Sequence, residues 1–348
     1  MSDYGKLNKI TVSGFKSIQN LDLELSSLNI LIGPNGAGKS NFIGIFKFIH
    51  QLLKKNLGFY VAQQLGTDKF LFFGRKRTPR LSIYLEFSPN AYSCKLTPDT
   101  SGERFVFEEE SCKFFGDKVG YQGGTKLYPL AKPGDRESGL PDTPHTASAP
   151  GHVVRYLHDW KVYHFHDTGE SARVKQPHKI SENDSLATDA GNLAAFLKSI
   201  QNTPAYQDIK STVQRVAPFF LDFFLESDKD NPDSIRLRWR HRGSDAIFDA
   251  SDLSDGTLRF ICLTTLLLQP SLPTIILLDE PELGLHPHAL SILAGIMRSA
   301  SSRTQIIAST QSVTLANQFG WENLIVIDRM NESSTFRKLT QDEIRAWL

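Results

Sequence analysis

Residues 29–40 read NILIGPNGAGKS: an apolar strand, a loop carrying Gly33, Gly36 and Gly38, then Lys39 and Ser40 at the start of a helical pattern. No other stretch constrains the fold as tightly. The pattern G-x-x-x-x-G-K-[ST] works only where the end of a strand, a tight loop and a helix N-terminus meet at one edge of a sheet. The glycines let several backbone N–H groups turn toward phosphate oxygens. The helix N-terminus adds free donors and a favourable dipole. Lys39 supplies a point charge at the β/γ-phosphates, and the Ser40 hydroxyl is placed to ligate Mg2+. The expected binding segment for a nucleoside triphosphate is therefore Gly33, Pro34, Asn35, Gly36, Ala37, Gly38, Lys39, Ser40 and Asn41. Behind it, Phe42, Ile45, Phe46, Ile49, Leu52 and Leu53 recur at helical spacing and give one apolar stripe.

A second stretch, TIILLDEPELGLHP (274–287), puts four apolar residues before Asp279 and Glu280. Two acids ending a buried strand are costly unless they work at its C-terminal edge, where ligands of open α/β sheets bind. Asp279 is expected to support the magnesium shell and Glu280 to orient and polarise the attacking water. From 274 onward, apolar runs (274–278, 304–308, 324–328) alternate with helical periods (288–300, 315–319), the grammar of a parallel α/β sheet. Shorter strands are expected at 10–12, 21–25, 28–32, 81–87, 92–96, 104–108 and 160–165, and helices at 192–200 and 205–216. Residues 235–239 alternate like a strand, with Ile235, Leu237 and Trp239 on one face and Arg236, Arg238 and Arg240 on the other. Residues 116–151, rich in Gly, Pro, Ser and Thr, read as a long surface loop.

Composition narrows the setting. Across 348 residues, 39 Lys and Arg nearly balance 38 Asp and Glu, so any nucleic-acid surface has to be a local patch. The three cysteines, Cys94, Cys112 and Cys262, are scattered without a CxxC pair, which fits a reducing compartment. The start, MSDYGKLNKITV, lacks the apolar core of a signal peptide, and no apolar run reaches the roughly 20 residues that span a bilayer. The expectation is a soluble, cytoplasmic protein with no membrane partner.

Leu253-Ser254-Asp255-Gly256-Thr257 precedes a helical period running to 268. Taken alone, Ser254 is simply a good N-cap. In order along the chain, however, GPNGAGKS, LSDGT and LLDEPELGLHP resemble the three nucleotide motifs of the ABC-type ATPases of the SMC, RecF and OLD clade. The opening ITVSGFKSIQNLDLEL is similar to their first strands, and WKVYHFHDTG and LATDAGNLAAFL resemble segments of the stand-alone AAA_21 ATPases. The resemblance implies an ABC-type α/β head with a mixed sheet. It predicts a discontinuous head (1–115 and 233–348) and an inserted helical and loop lid (116–232). It also implies head-to-tail homodimers in which ATP lies between one P-loop and the partner's signature motif, so that Ser254 and Gly256 would act in trans. Asp255 stands where transporter signatures often carry Gly, and is expected to point away from the phosphate.

In that clade the strand after the acid pair usually ends in a Thr-His-Ser-like tip whose His reaches the γ-phosphate. Here the tip is Ser309-Thr310-Gln311-Ser312. Gln311 can donate to phosphate and accept from water, but cannot carry a charge or move a proton. A working sensor, a slow ATP-gated clamp and a merely polar strand end all stay open, with slow hydrolysis favoured because Glu280 is present. Two further groups stay open as well. His158, His164, His166 and Asp167 raise a metal site, against which stands the lack of any neighbouring His/Cys cluster. Arg75, Lys76, Arg77 and Arg80 with Arg236, Arg238, Arg240 and Arg242 raise a DNA surface, against which stands a solvated strand edge. OLD proteins carry a nuclease after the ATPase, and only a short segment ending TQDEIRAWL follows Gln311. A nuclease or other effector is therefore expected in trans, in DNA metabolism or defence against foreign DNA. A non-hydrolysing scaffold and a transporter subunit are the competing readings.

Overall fold

The computed structural model describes residues 5–120, 124–144, 147–228 and 230–340. Parts of the 116–151 loop reading, the first residues of the N-terminal reading and nearly all of the TQDEIRAWL segment fall outside them. Strands β1 (Lys9–Phe15) and β2 (Ile18–Glu24) form a hairpin, and β3 (Leu28–Ile32) runs into α1 (Lys39–Leu53), followed by α2 (Leu57–Gln63). A meander of β4 (Leu81–Phe87), β5 (Asn90–Pro98), β6 (Phe105–Phe115) and β7 (Thr125–Ala131) precedes α3 (Ala149–His158) and β8 (Lys161–Tyr163). Then come β9 (His178–Lys179), α4 (Leu193–Ser199), α5 (Pro204–Val216), β10 (Phe220–Phe224), β11 (Ser234–Ile235), β12 (Arg238–His241), β13 (Ile247–Asp249) and α6 (Asp255–Leu268). The chain ends with β14 (Ile275–Asp279), α7 (Pro287–Ala300), β15 (Gln305–Thr310), α8 (Val313–Ala316), β16 (Leu324–Met330) and β17 (Ser333–Lys338).

Two six-stranded sheets carry the fold. One is antiparallel, in the order β2-β1-β4-β5-β6-β7; the other is mixed, in the order β17-β16-β3-β15-β14-β8, with only the β16–β17 pair antiparallel. Period-two alternation in the mixed sheet splits its strands between two cores. Leu31, Ile275, Leu277 and Ile307 face a core shared with α1 and the antiparallel sheet. Ile30, Ile276, Leu278, Ile306 and Ala308 face a core built with α4 to α7. Both faces of β14 and β15 are thus covered, which is why they read as unbroken apolar runs. Stretch 116–232 contributes to both layers. β7 joins the antiparallel sheet and β8 the mixed one, while Leu193, Phe196, Ile209 and Val213 fill the second core.

Three details depart from the sequence reading. The expected 116–151 loop contains β7, which is tolerated despite Pro129 because β7 is an edge strand and needs no ladder donor there. The S-A-P-G run begins α3: the Ser148 side chain caps Gly151 N–H, and Pro150 occupies the first turn, where its missing donor costs nothing. The expected strand 235–239 is broken into β11 and β12, although Ile235, Leu237 and Trp239 all face the core as the alternation required.

Candidate functional site

Strands β3, β15, β14 and β8 run parallel, so their C-terminal ends open on one edge of the sheet. Register fixes who meets whom: Thr310 pairs with Ile32 of the P-loop strand, and Ser309 pairs with Asp279 of the acid strand. The Gln311 tip therefore emerges between the phosphate loop and the acid pair, which lie two strand spacings or roughly 10 Å apart.

The phosphate loop is built by close backbone approach. Gly38, the α1 N-cap, has φ 121°, and a Cβ there would lie 2.1 Å from Ser334 Oγ. A Cβ on Gly33 would lie 2.1 Å from the Ile327 carbonyl oxygen. Ser334 Oγ donates to the Ala37 carbonyl and faces Ser17 Oγ at 2.7 Å, and Asn41 Nδ2 donates to Ser17 Oγ at 2.7 Å. Lys39 is buried and its Nζ donates to the carbonyls of Gly33 (2.7 Å) and Pro34 (3.0 Å), so its charge is held over the loop.

On the acid strand, the Asp279 carboxylate accepts a hydrogen bond from Ser309 Oγ. Glu280 takes a left-handed backbone, φ 45°, and its N–H donates to Ser309 O at 2.9 Å. A non-glycine residue held in that region costs of order 1–3 kcal/mol and marks a position whose side-chain direction matters. With the exposed Ser40 hydroxyl and the Asp279 carboxylate, the edge offers hard oxygen ligands of the kind magnesium takes.

Sequence reasoning missed two contributors. Glu282, nearly buried, accepts from Thr310 Oγ1 at 2.6 Å and from Gln311 N at 3.1 Å, and so grips the strand tip that presents the exposed Gln311 side chain. The second is the loop after β8: His166 Nε2 lies 2.6 Å from the Asp279 carbonyl oxygen. Period-two spacing put His164 and His166 together, but only the strand order shows that they adjoin the acid pair. Among the described residues no group of three His, Cys, Asp or Glu gathers as a metal centre.

Ser254 caps α6 through Thr257 N at 3.2 Å and is exposed, as is Asp255. α6 packs in the core on the other side of the mixed sheet from α1. Among the described residues the Ser254 side chain is hydrogen-bonded to Thr257 and not to the phosphate loop. Gly256 touches the loop beyond Glu280, where a Cβ would lie 2.3 Å from Gly284 O. Arg259 ties these parts together. Its Nε donates to Phe165 O (2.8 Å), Nη2 to His166 O (3.0 Å) and Nη1 to Leu283 O. Burial pulls its pKa down, and Asp255 opposes that shift. Much of the arginine charge is met internally: Arg236 and Arg238 both face Asp228 at 3.6 Å, Arg77 pairs with Glu332 at 3.1 Å and Arg80 with Glu108 at 2.5 Å.

A strand ending in the phosphate loop, a strand ending at Gln311 and a strand ending in an acid pair lie side by side, with a capped helix on the opposite layer, which is the fold of an ABC-type ATPase head. The fold agrees with an SMC head bound to the C-terminal winged-helix domain of ScpA, which is 13% identical, with a TM-score of 0.61 over 98% of this chain and 99% of that one. An SMC head from Thermotoga maritima (17% identical, 96% and 99% covered, TM-score 0.42) and one derived from Pyrococcus furiosus (14%, 98% and 98%, 0.48) also match. Residues 28–317 match the AAA_21 family, described as AAA domain, putative AbiEii toxin, Type IV TA system, and the chain belongs to that family. A 43-residue stretch is 44% identical to the tungstate uptake system ATP-binding protein TupC of Campylobacter jejuni, covering 12% of this chain and 13% of that protein. Among the described residues no helix is long and apolar enough to cross a membrane.

Proposed function

We propose that the protein is a magnesium-dependent ATPase whose heads associate on ATP and part after hydrolysis. The observation that carries this reading is the convergence of Lys39 and Ser40, Gln311, and Asp279 and Glu280 at the ends of three adjacent parallel strands. The backbone of Gly33 to Asn41 and the Lys39 ammonium would bind the triphosphate. Ser40 and Asp279 would hold Mg2+, which when bound supplies charge stabilisation to the transferring phosphoryl group. Glu280 orients the attacking water, and Gln311 hydrogen-bonds at the γ-phosphate. Ser254 and Gly256 serve the partner's nucleotide. Leu283 and Val313, 43% and 63% exposed beside Glu280 and Gln311, give such a contact apolar area. A separate effector protein, with DNA as a further partner, and a role in defence against foreign DNA follow from the family alone.

The test is ATP turnover with and without Mg2+ in the wild type and Glu280→Gln, with oligomer mass followed in the same samples. Turnover lost in the variant while an ATP-dependent dimer accumulates supports the switch. Gln311 in place of a titratable sensor favours a second reading, a scaffold that uses ATP as an interface without cleaving it. No turnover in either protein, with an unchanged ATP-bound assembly, would establish that scaffold instead.

A further inference from the structure

A cavity of about 450 Å³ opens between the C-terminal half of α1, α2, the end of α3 and β8. Five basic side chains line it: Lys47, His50 and Lys54 from one face of α1, Lys161 from β8, and His164 just beyond. No carboxylate is among its lining residues. Among the described residues, none of the five side chains makes an ion pair or hydrogen bond. Burial, with Lys54, Lys161 and His158 nearby, pulls the His50 pKa down; burial and then Lys47 and His166 do the same to His164, against the pull of Asp279.

Three of the five, Lys47, Lys54 and Lys161, are like charges gathered in one concavity, where they repel. One buried donor adds to the imbalance. Trp160, only 5% exposed, lines the cavity with an Nε1–H that has no partner among the described residues. A buried donor left without an acceptor is costly. Both imbalances ask for the same thing, an anion with several acceptor oxygens. The rest of the wall is of another kind, with Phe46, Leu157 and Val162 apolar and the half-buried Tyr60 ring beside them. The volume lies within the roughly 300–1,000 Å³ of small-molecule sites and exceeds what a lone phosphate fills.

We infer that this cavity binds a phosphorylated nucleoside, with the lysines and the Trp160 N–H around the phosphate and the Tyr60 side of the wall against the base. It is separate from the phosphate loop, which opens at the other end of α1. The phosphate belongs either to a free nucleotide or to the 5′ end of a nucleic acid.

The test uses the full chain with Mg-ADP saturating the phosphate loop. Three probes are compared by titration: 5′-phosphorylated tetrathymidylate labelled at its 3′ end, the same oligonucleotide without the phosphate, and thymidine 5′-monophosphate as competitor. The phosphorylated probe is expected to bind at least about tenfold tighter than the unphosphorylated one, the scale of one lost charge-assisted contact. Lys54→Glu/Lys161→Glu should weaken it by at least about tenfold and raise its sensitivity to salt no further. The milder Lys54→Gln/Lys161→Gln pair, both at solvent-facing positions, should give an intermediate loss, and ADP affinity should be unchanged in both. Competition by the monophosphate at similar concentration identifies a free nucleotide, and binding of the oligonucleotide alone identifies a nucleic-acid end. Indifference to the 5′-phosphate, indifference to both double substitutions, or no binding of any probe would overturn the inference.

Discussion

Glu282 offers the sharpest test of how the edge is held. One carboxylate oxygen accepts from Thr310 Oγ1 and Gln311 N, while Oε2 is buried without a partner among the described residues. Replacing it by Ala removes two hydrogen bonds to a charged acceptor, about 1.5–3 kcal/mol each, and relieves one unsatisfied oxygen, about 1–3 kcal/mol. The net expectation is a loss of about 2–3 kcal/mol. Glu282→Gln keeps an acceptor toward both donors and removes the buried charge, so its cost should stay under about 1.5 kcal/mol. Urea unfolding followed by tryptophan fluorescence reads the stabilities, and phosphate release reads turnover. Because the Glu282 carboxylate, among the described residues, is hydrogen-bonded to the Gln311 tip and not to the phosphate loop, Glu282→Ala should leave ATP affinity intact while turnover falls by about tenfold, the equivalent of 1.4 kcal/mol in the barrier. The reasoning fails if Glu282→Ala turns over ATP like the wild type while Gln311→Ala does not, because the grip would then be irrelevant to Gln311.

Other substitutions probe other parts. Gly38→Ala meets Ser334 Oγ at a φ of 121° and should abolish Mg-ATP binding by calorimetry, whereas Gly243→Ala, with φ 78° and nothing within 4 Å, should keep it at a similar backbone cost of about 1–3 kcal/mol. Arg259→Lys leaves carbonyls of the β8 loop and the Glu280 loop unmet; ATP affinity should hold, with turnover lowered and stability down by about 2–4 kcal/mol in urea. His164 has a pKa depressed from 6.5, first by burial, so the unfolded chain binds the proton more readily than the folded one. Its contribution is therefore present above pH 6.5 and lost as the pH falls toward its folded value. Denaturation midpoints should fall as the pH drops below 6.5 in the wild type, and less steeply in His164→Gln.

The parts of the site that lie on one short segment were legible in the sequence. The phosphate loop and the Asp279–Glu280 strand announce themselves because strand, turn and helix chemistry are local. What was not legible depends on neighbours far apart in the chain. His166 reads as a stray histidine until β8 is known to flank β14, and Glu282 reads as a turn acid until Thr310 is placed above it. β7 lies within a stretch whose Gly, Pro, Ser and Thr content reads as a loop, and it forms there because Pro129 is tolerated on an edge strand. The arginine rows looked free in the sequence, whereas Asp228, Glu332 and Glu108, distant in order, answer several of them.

The hydrogen bond from Ser334 to the Ala37 carbonyl joins residues 297 positions apart. During synthesis the loop from Gly33 to Gly38 is made long before two of its walls, the Ile327 carbonyl and the Ser334 hydroxyl. Until those residues follow, a nascent chain carries the full phosphate-binding sequence without the walls that shape it. ATP should accordingly act on folding only when the β16–β17 hairpin closes over the loop, as a ligand that rewards that closure, and should do little to guide the steps before it.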